Sequence, residues 1–261
     1  MSTLDDVFAR SRAEGRAALV GYLPAGYPDL PTSLEAVRTL AEHGCDVVEV
    51  GVPYTDPLMD GPVVERAAST ALRAGFRLSH VFEVVAAARA AGAVPVVMTY
   101  WNPVLRYGVE RFAADLAAAG GAGLITPDLI PDEAQDWLTA ADAHGLAPVF
   151  LVAPSSTPQR LRSTTQACRG FVYVASTMGV TGVRASVGDA AQSLVARTRE
   201  VTDLPLCVGL GVSTGEQAAE VAGFADGVIV GSALVRALGE DTSLGRLAGL
   251  TDELAAGVRR A

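Results

Sequence analysis

Short apolar segments rich in β-branched residues recur along the chain, and each is followed by turn residues and an alanine-rich amphipathic stretch. Their nearly continuous apolar character predicts parallel strands that are buried on both faces. Eight segments have this character: Ala18–Leu23, Val47–Val52, Val94–Tyr100, Gly123–Pro127, Pro148–Ala153, Phe171–Ser176, Pro205–Gly209 and Gly227–Gly231.

The stretches between these strands have the spacing of helices that pack one face against a sheet. The pattern predicts helices at Leu34–His43, Val81–Ala91, Arg111–Ala119, Glu133–His144, Val187–Arg199 and Glu216–Ala222. No proline lies inside them. A further helix is predicted at Leu4–Glu14, where it would cap the lower end of a barrel.

Eight β/α units in 261 residues predict an α/β fold, a single-domain (β/α)₈ TIM barrel over residues 1–261 with an extra N-terminal helix. A doubly wound open sheet alternates strands and helices in the same way, so periodicity alone leaves it as an alternative. Two long stretches that follow strands, Pro53–Leu78 and Ser176–Val187, are predicted to be loops. Loops at this end of a barrel carry its chemistry.

Charge and hydropathy exclude several classes of partner. The formal net charge of −9 argues against nucleic acid and anionic membranes. No apolar run reaches the roughly 18 residues of a membrane span. We therefore expect a cytoplasmic protein. A small anion can still bind, because local backbone dipoles act independently of the net charge.

All 20 basic residues are arginine, and the chain contains no lysine. Lysine imines and covalently bound pyridoxal phosphate are therefore excluded, because both need a lysine amine. The three cysteines, Cys45, Cys168 and Cys207, are predicted to be reduced core thiols. The three histidines are not at metal-ligand spacing, so no metal site is predicted.

Glycine turns follow the last three predicted strands. They lie in Gly179–Gly182, Gly209–Ser213 and Val230–Ala233, and Ser232 adds a hydroxyl donor. Each turn taken singly is equally well explained as a tight connection. Together they favour a phosphate site, because barrels commonly bind phosphate after strands seven and eight and helix N-termini complement anions.

Glu49 lies within an apolar strand, where a carboxylate is costly unless it is protonated, paired or functional. A satisfied ion pair is the alternative to a functional role. The loop that follows contains Asp56 and Asp60 among prolines. Either aspartate could instead cap or turn the loop through its side chain.

Val48–Pro62, with its strand-borne Glu and loop Asp, resembles the signature of the tryptophan synthase alpha subunit family. The resemblance covers essentially the whole chain in order. It continues through Met98–Pro103, Thr126–Leu129, Ser176–Gly182, Gly209–Ser213 and Gly231–Ser232. It implies cleavage of indole-3-glycerol phosphate into indole and glyceraldehyde 3-phosphate. Met59 stands where the family more often has a smaller residue, and Glu65 where an amide is frequent.

Matched position by position, the resemblance implies that Glu49 and Asp60 are the catalytic acids and that Thr181 is the threonine of a mobile loop. Four positions fall on the family's phosphate contacts: Gly182, Gly211, Gly231 and Ser232. Six positions fall on the lining of its indole pocket: Tyr22, Met98, Ile125, Leu151, Tyr173 and Leu210. The tyrosines, Met98 and Leu210 are also plausible core residues.

The implied retro-aldol step needs an electron sink, and without lysine the indole ring can serve. Protonation at C3 gives an indolenine whose C=N bond accepts the electrons of the breaking bond, so positioned proton donors and acceptors suffice. Our hypothesis is that Glu49 moves protons at C3 and at the glycerol hydroxyl. Asp60 would accept the indole N–H and stabilise the positive charge on that nitrogen.

The resemblance also implies a partner, a beta subunit that holds pyridoxal phosphate and receives indole. No cofactor is expected in this chain itself. Asp56, Pro57 and the segment Trp101–Tyr107 would face that partner in an α₂β₂ assembly. Three alternatives stay open: a free-standing indole-releasing lyase, another phosphate-binding barrel such as an isomerase, and a catalytically silent barrel that activates a partner.

Overall fold

The computed structural model describes residues 3–175, 187–209 and 211–259. The described residues form one sheet in which every pair of neighbouring strands is parallel. The order of the strands in the sheet is β5-β4-β3-β2-β1-β9-β8-β7-β6. Their bounds are β1 Ala18–Pro24, β2 Val47–Gly51, β3 Val94–Met98, β4 Gly123–Ile125, β5 Ala147–Val149, β6 Leu151–Val152, β7 Val172–Ala175, β8 Leu206–Gly209 and β9 Gly227–Val230.

The two ends of this sheet belong to one stretch of chain. Only Phe150 separates β5, which pairs with β4, from β6, which pairs with β7. The Phe150 carbonyl accepts the Tyr173 N–H at 3.2 Å, so the break does not interrupt contact with β7. The sheet is therefore closed, and its nine segments make the eight strands of a TIM barrel. The predicted (β/α)₈ fold is confirmed, and the open doubly wound alternative is wrong.

Helices surround the sheet, and each predicted helix is present with ends that differ by a few residues. In the described part of the chain the helices are α1 Leu4–Ala13, α2 Leu30–Glu42, α3 Pro62–Arg73, α4 His80–Ala90, α5 Trp101–Tyr107, α6 Val109–Ala118, α7 Gln135–His144, α8 Pro158–Ala167, α9 Val187–Arg199, α10 Gly215–Ala222, α11 Ser232–Glu240 and α12 Gly245–Gly257. A 3₁₀ turn spans Pro131–Glu133.

The segment Pro53–Leu78 is not a continuous loop as predicted, because α3 occupies half of it. This helix buries Val64, Ala67, Ala68 and Ala71, which have the i, i+3, i+4, i+7 spacing of an amphipathic helix. The connection from β2 to α3 is thus residues 52–61, and it holds Asp60 just before the helix. Of the other predicted long loop, residues 176–186 lie outside the described residues.

Inward-facing side chains fill the barrel, and α1 closes its lower end. Leu4, Val7 and Phe8 pack with the inner residues of the strands, and the rings of Phe8 and Phe171 lie 5.8 Å apart. The extra N-terminal helix therefore caps the barrel as predicted. All three cysteines are buried and form no disulfide. No helix among the described residues has the length and apolar character needed to cross a membrane.

Candidate active site

Glu49 points into the barrel from β2, between Tyr22 of β1 and Val96 of β3. Alternation along the strand gives it this direction, since its i−2 neighbour Val47 belongs to the inner core. Glu49 is 1% exposed, and its Oε2 has no hydrogen-bond partner among the described residues. No ion pair reaches it in that part of the chain. The interpretation of Glu49 as a satisfied ion pair is therefore not supported.

Burial raises the pKa of Glu49 to about 8, and the nearby charge of Asp60 contributes to the rise. A carboxyl group with this pKa holds its proton at neutral pH and can act as a donor. Burial of this kind is the usual way in which proteins tune a carboxyl group for acid–base work.

Asp60 lies immediately before α3 and is half-buried. Burial raises the pKa of its carboxyl group, the hydroxyl of Tyr100 opposes the rise, and the charge of Glu65 adds to it; the net shift is upward. The Tyr100 hydroxyl lies 3.3 Å from Asp60 Oδ1. Because Asp60 also raises the pKa of Glu49, the two carboxyl groups share one electrostatic environment at the barrel mouth.

Two tyrosines each lie over a glycine at the end of the adjacent strand: Tyr22 of β1 over Gly51 of β2, and Tyr173 of β7 over Gly209 of β8. A Cβ added to Gly51 would lie 2.4 Å from the Tyr22 hydroxyl, and one added to Gly209 would lie 2.7 Å from that of Tyr173. Burial raises the pKa of both phenols well above the usual value, and the charges of Asp60 and Glu49 raise them further. The two rings therefore border the same pocket as the acids, and the glycines leave room for them.

Three further predicted indole-pocket positions that the structure describes also face inward. Met98 pairs with Gly51 and with Ile125, and Leu151 pairs with Tyr173. Met98 and Leu151 are half-buried at the mouth, whereas Ile125 is fully buried and forms part of the floor. Leu210 lies outside the described residues.

The predicted phosphate contacts that are described lie after β8 and β9, which are paired in the sheet. Gly211 has φ +68°, which favours glycine, and a Cβ there would meet open space. Ser232 begins α11 after Gly231, and no side chain caps this helix. A Cβ on Gly231 would lie 3.5 Å from the Tyr22 ring, so the uncapped N-terminus borders the pocket. Thr181 and Gly182 lie outside the described residues.

An apolar patch flanks one side of the mouth. The large hydrophobic side chains that are exposed in the described part of the chain are Leu58 (77%), Met59 (50%), Leu105 (52%) and Ile130 (39%). They follow β2, β3 and β4, which are neighbours in the sheet. Asp56 is exposed and Pro57 half-buried in the same loop as the first two. Exposed large apolar side chains that follow neighbouring strands in this way are typical of a protein–protein contact.

The histidines play no part in this pocket. His43 and His144 pair with Asp252 and Glu110 at 2.9 and 2.7 Å, and His80 accepts the Arg77 N–H at 3.2 Å. No group of three or more His, Cys, Asp or Glu side chains among the described residues could hold a metal ion.

Sequence reasoning missed Tyr100 as a site residue. It was assigned only as the last residue of a strand, whereas its hydroxyl reaches Asp60 and the backbone of residues 58 and 59. The signal that could have found it is its place in the motif Met98–Pro103, at the carboxyl end of a barrel strand.

Comparison with known proteins gives a consistent match. The family model for the tryptophan synthase alpha chain matches residues 8–256. The tryptophan synthase alpha chain of Mycobacterium avium (strain 104) is 63% identical over 259 residues, covering 99% of this chain and 95% of that protein. That of Nocardia farcinica is 62% identical over 260 residues, covering 100% and 97%.

Solved structures of the same family share the fold. The structure of Mycobacterium tuberculosis tryptophan synthase has a TM-score of 0.94 at 62% identity, covering 99% of this chain and 98% of that one. A mutant tryptophan synthase alpha-subunit from Pyrococcus furiosus has a TM-score of 0.82 at 34% identity, covering 92% and 98%.

Proposed function

Since the chain belongs to the tryptophan synthase alpha chain family, a family of catalytic subunits in tryptophan biosynthesis, we propose that it cleaves indole-3-glycerol phosphate to indole and glyceraldehyde 3-phosphate. The observation that carries this proposal is the buried carboxyl group of Glu49, whose Oε2 has no hydrogen-bond partner among the described residues and whose pKa is raised by burial and by the charge of Asp60.

The substrate's two ends fit two parts of the mouth. The phosphate would bind the free N–H groups at the N-terminus of α11, the Ser232 hydroxyl and the backbone at Gly211 and Gly231, with Gly182 as the fourth predicted contact. The indole would lie between Tyr22 and Tyr173, above Met98, Leu151 and Ile125, with Leu210 completing the lining. This arrangement directs the bond to be broken toward Glu49.

Glu49 would carry the proton transfers. Its protonated carboxyl group donates to indole C3, which forms an indolenine cation. The resulting carboxylate then removes the proton of the glycerol hydroxyl, the C–C bond breaks to give the aldehyde, and its electrons return to the ring as free indole. Glu49 ends the cycle protonated as it began, so no external acid or base is consumed.

Asp60 would act on the other side of the ring. Its carboxylate accepts the indole N–H and stabilises the positive charge that develops on that nitrogen when C3 is protonated. A fixed negative group in a half-buried pocket contributes more than it would in water. The reaction therefore needs no cofactor in this chain, and the pyridoxal phosphate of the complete synthase would belong to the beta partner.

The apolar patch of Leu58, Met59, Leu105 and Ile130 would be the docking surface for that beta subunit in an α₂β₂ assembly in the cytoplasm. It adjoins the loop of Asp56, Pro57 and Asp60, so a docked subunit would contact the same segment that carries a catalytic carboxylate. Such a contact can couple partner binding to catalysis.

One assay tests these proposals: indole release from indole-3-glycerol phosphate by the purified chain, with and without an added beta subunit. We expect release that rises strongly when the beta subunit is present. High release by the chain alone with no response would indicate a free-standing lyase. No release under either condition would refute the proposed activity. It would favour the alternative of a catalytically silent barrel that activates a partner.

A further inference from the structure

The hydroxyl of Tyr100 contacts three consecutive residues of the loop after β2. Its oxygen accepts the backbone N–H of Leu58 at 3.0 Å and of Met59 at 2.9 Å, and it lies 3.3 Å from Asp60 Oδ1. Tyr100 is 5% exposed and follows β3, where it is the N-cap residue of α5. A rigid strand end is therefore bonded to the loop that carries Asp60.

The chemistry of a phenol fixes the direction of the third bond. A tyrosine hydroxyl has one proton to donate and two lone pairs that accept. Because the two backbone N–H groups occupy both acceptor positions, the proton remains for Asp60. The Asp60 carboxyl oxygen must accept it, which favours the ionised form of Asp60.

We propose that Tyr100 is a positioning residue for Asp60: it fixes residues 58–60 against the end of β3 and directs its hydroxyl proton to the carboxylate. The proposal rests on the function proposed above, in which Asp60 acts as an ionised acceptor. Tyr100 acts through Asp60 and needs no contact with the substrate.

The electrostatics around Asp60 agree with this role. Burial and the charge of Glu65 raise the pKa of Asp60, and the hydroxyl of Tyr100 is the group that lowers it. The negative charge of Glu65 opposes ionisation of Asp60, whereas the hydrogen bond donated by Tyr100 favours it. Tyr100 and Glu65 should therefore change the pKa of Asp60 in opposite directions when each is replaced.

The neighbouring Tyr54 supplies a matched control. Its ring lies 5.5 Å from that of Tyr100, and its hydroxyl accepts a hydrogen bond from Asn102 at 3.0 Å. Tyr54→Phe thus removes a hydroxyl from the same aromatic pair without touching Asp60.

The test measures the pH profile of kcat/KM and, separately, the titration of the Asp60 carboxyl by carbon-13 NMR, assigned with Asp60→Asn. In Tyr100→Phe the acid limb and the NMR midpoint should both move up by about one pH unit, as expected for loss of one charge-assisted hydrogen bond. In Glu65→Gln they should move down by less, because Glu65 is exposed. In Tyr54→Phe they should stay in place.

We further expect Tyr100→Phe to lower kcat by about tenfold at the parental optimum, with a smaller change in KM. An NMR midpoint that does not move in folded Tyr100→Phe would overturn the proposal. So would an equal shift in Tyr54→Phe, which would indicate a packing effect of the pair. If the parent chain releases no indole, the proposed function fails, whereas the NMR titration still decides the role of Tyr100.

Discussion

Two carboxyl groups three residues apart on the chain lie in opposite surroundings: Asp46 immediately precedes β2, and Glu49 is at the middle of this strand. Asp46 accepts two hydrogen bonds from Arg16, at 2.7 and 2.8 Å, and one from the Leu19 N–H at 3.0 Å. Although burial raises the pKa of Asp46, these donors hold it below its ordinary value. Glu49 Oε2 has no hydrogen-bond donor among the described residues, and burial raises the pKa of this carboxyl group to about 8.

The difference teaches that one strand serves stability at its start, through Asp46, and chemistry at its middle, through Glu49. A second strand repeats the arrangement seen at Asp46: Asp226 precedes β9, pairs with Arg199 at 2.9 Å and accepts the Leu206 N–H at 2.9 Å. In both cases an aspartate joins the start of its own strand to the neighbouring strand. Each prediction below tests one side of this contrast.

The largest effect should come from Glu49→Gln, which keeps the shape of the side chain but removes its acid–base capacity. We expect kcat to fall by about 10³-fold, within the usual range for loss of a general acid–base group. Substrate binding that depends on the phosphate should remain measurable. Indole release by the purified variant is the measurement, and near-normal turnover would contradict the role given to Glu49.

Asp46→Asn should have the reverse outcome, with lost stability and retained activity. The side chains of Arg16 and Asp46 are 6% and 7% exposed, so removing the charge leaves the buried guanidinium with Glu14, at 2.6 Å, as its remaining ion-pair partner among the described residues. Breaking such a pair costs about 3 kcal/mol of unfolding free energy. Urea unfolding gives this value, and activity per folded molecule serves as the control. A change well under 1 kcal/mol would contradict the stabilising role given to Asp46.

Glu49 should also make the stability depend on pH. Its folded pKa of about 8 exceeds the ordinary value of 4.5, so the folded state holds a proton that the unfolded chain releases between these values. Stability is therefore lost as pH rises from 4.5 to about 8, and Glu49→Gln should escape that loss. Relative to the parent, the variant should gain about 2 kcal/mol between pH 5 and pH 7. The measurement is urea unfolding of parent and variant at both pH values. A stability difference between them that is the same at pH 5 and pH 7 would contradict a raised pKa.

The smallest effect should follow Asp226→Asn. This pair resembles that of Asp46, but Arg199 is 43% exposed and Asp226 24%. Solvent screens a more exposed pair, so we expect a loss of about 1 kcal/mol. The ratio of the two aspartate variants measures how much burial contributes. An equal loss in both would show that the backbone bond to the neighbouring strand dominates.

Sequence patterns predicted the barrel because its strands are apolar on both faces and recur regularly. The predicted helices did not include α3, α5, α8, α11 or α12. In the first three of these, a proline near the helix start obscures a short helical pattern. The break at Phe150 has no local signal, because it reflects the pairing of one strand with two neighbours.

In the candidate site, too, local sequence patterns identified some residues and missed the contacts that depend on the closed barrel. Glu49 and Asp60 were identified by a local motif, and the structure places them in one pocket. The bond from Tyr100 to Asp60 joins residues 40 positions apart, and that from Arg16 to Asp46 joins residues 30 apart. Neither partner is fixed by local spacing, so only the closed barrel brings them together.

Side chains fill the interior of the barrel and α1 covers its lower end with Leu4, Val7 and Phe8, so the site is a blind well that opens only at the mouth. Molecules in a blind well enter and leave by the same opening. If indole is set free beside Glu49, it departs through the mouth that admitted its parent compound. Substrate entry and indole release would then share that mouth, and a protein bound over it would affect both.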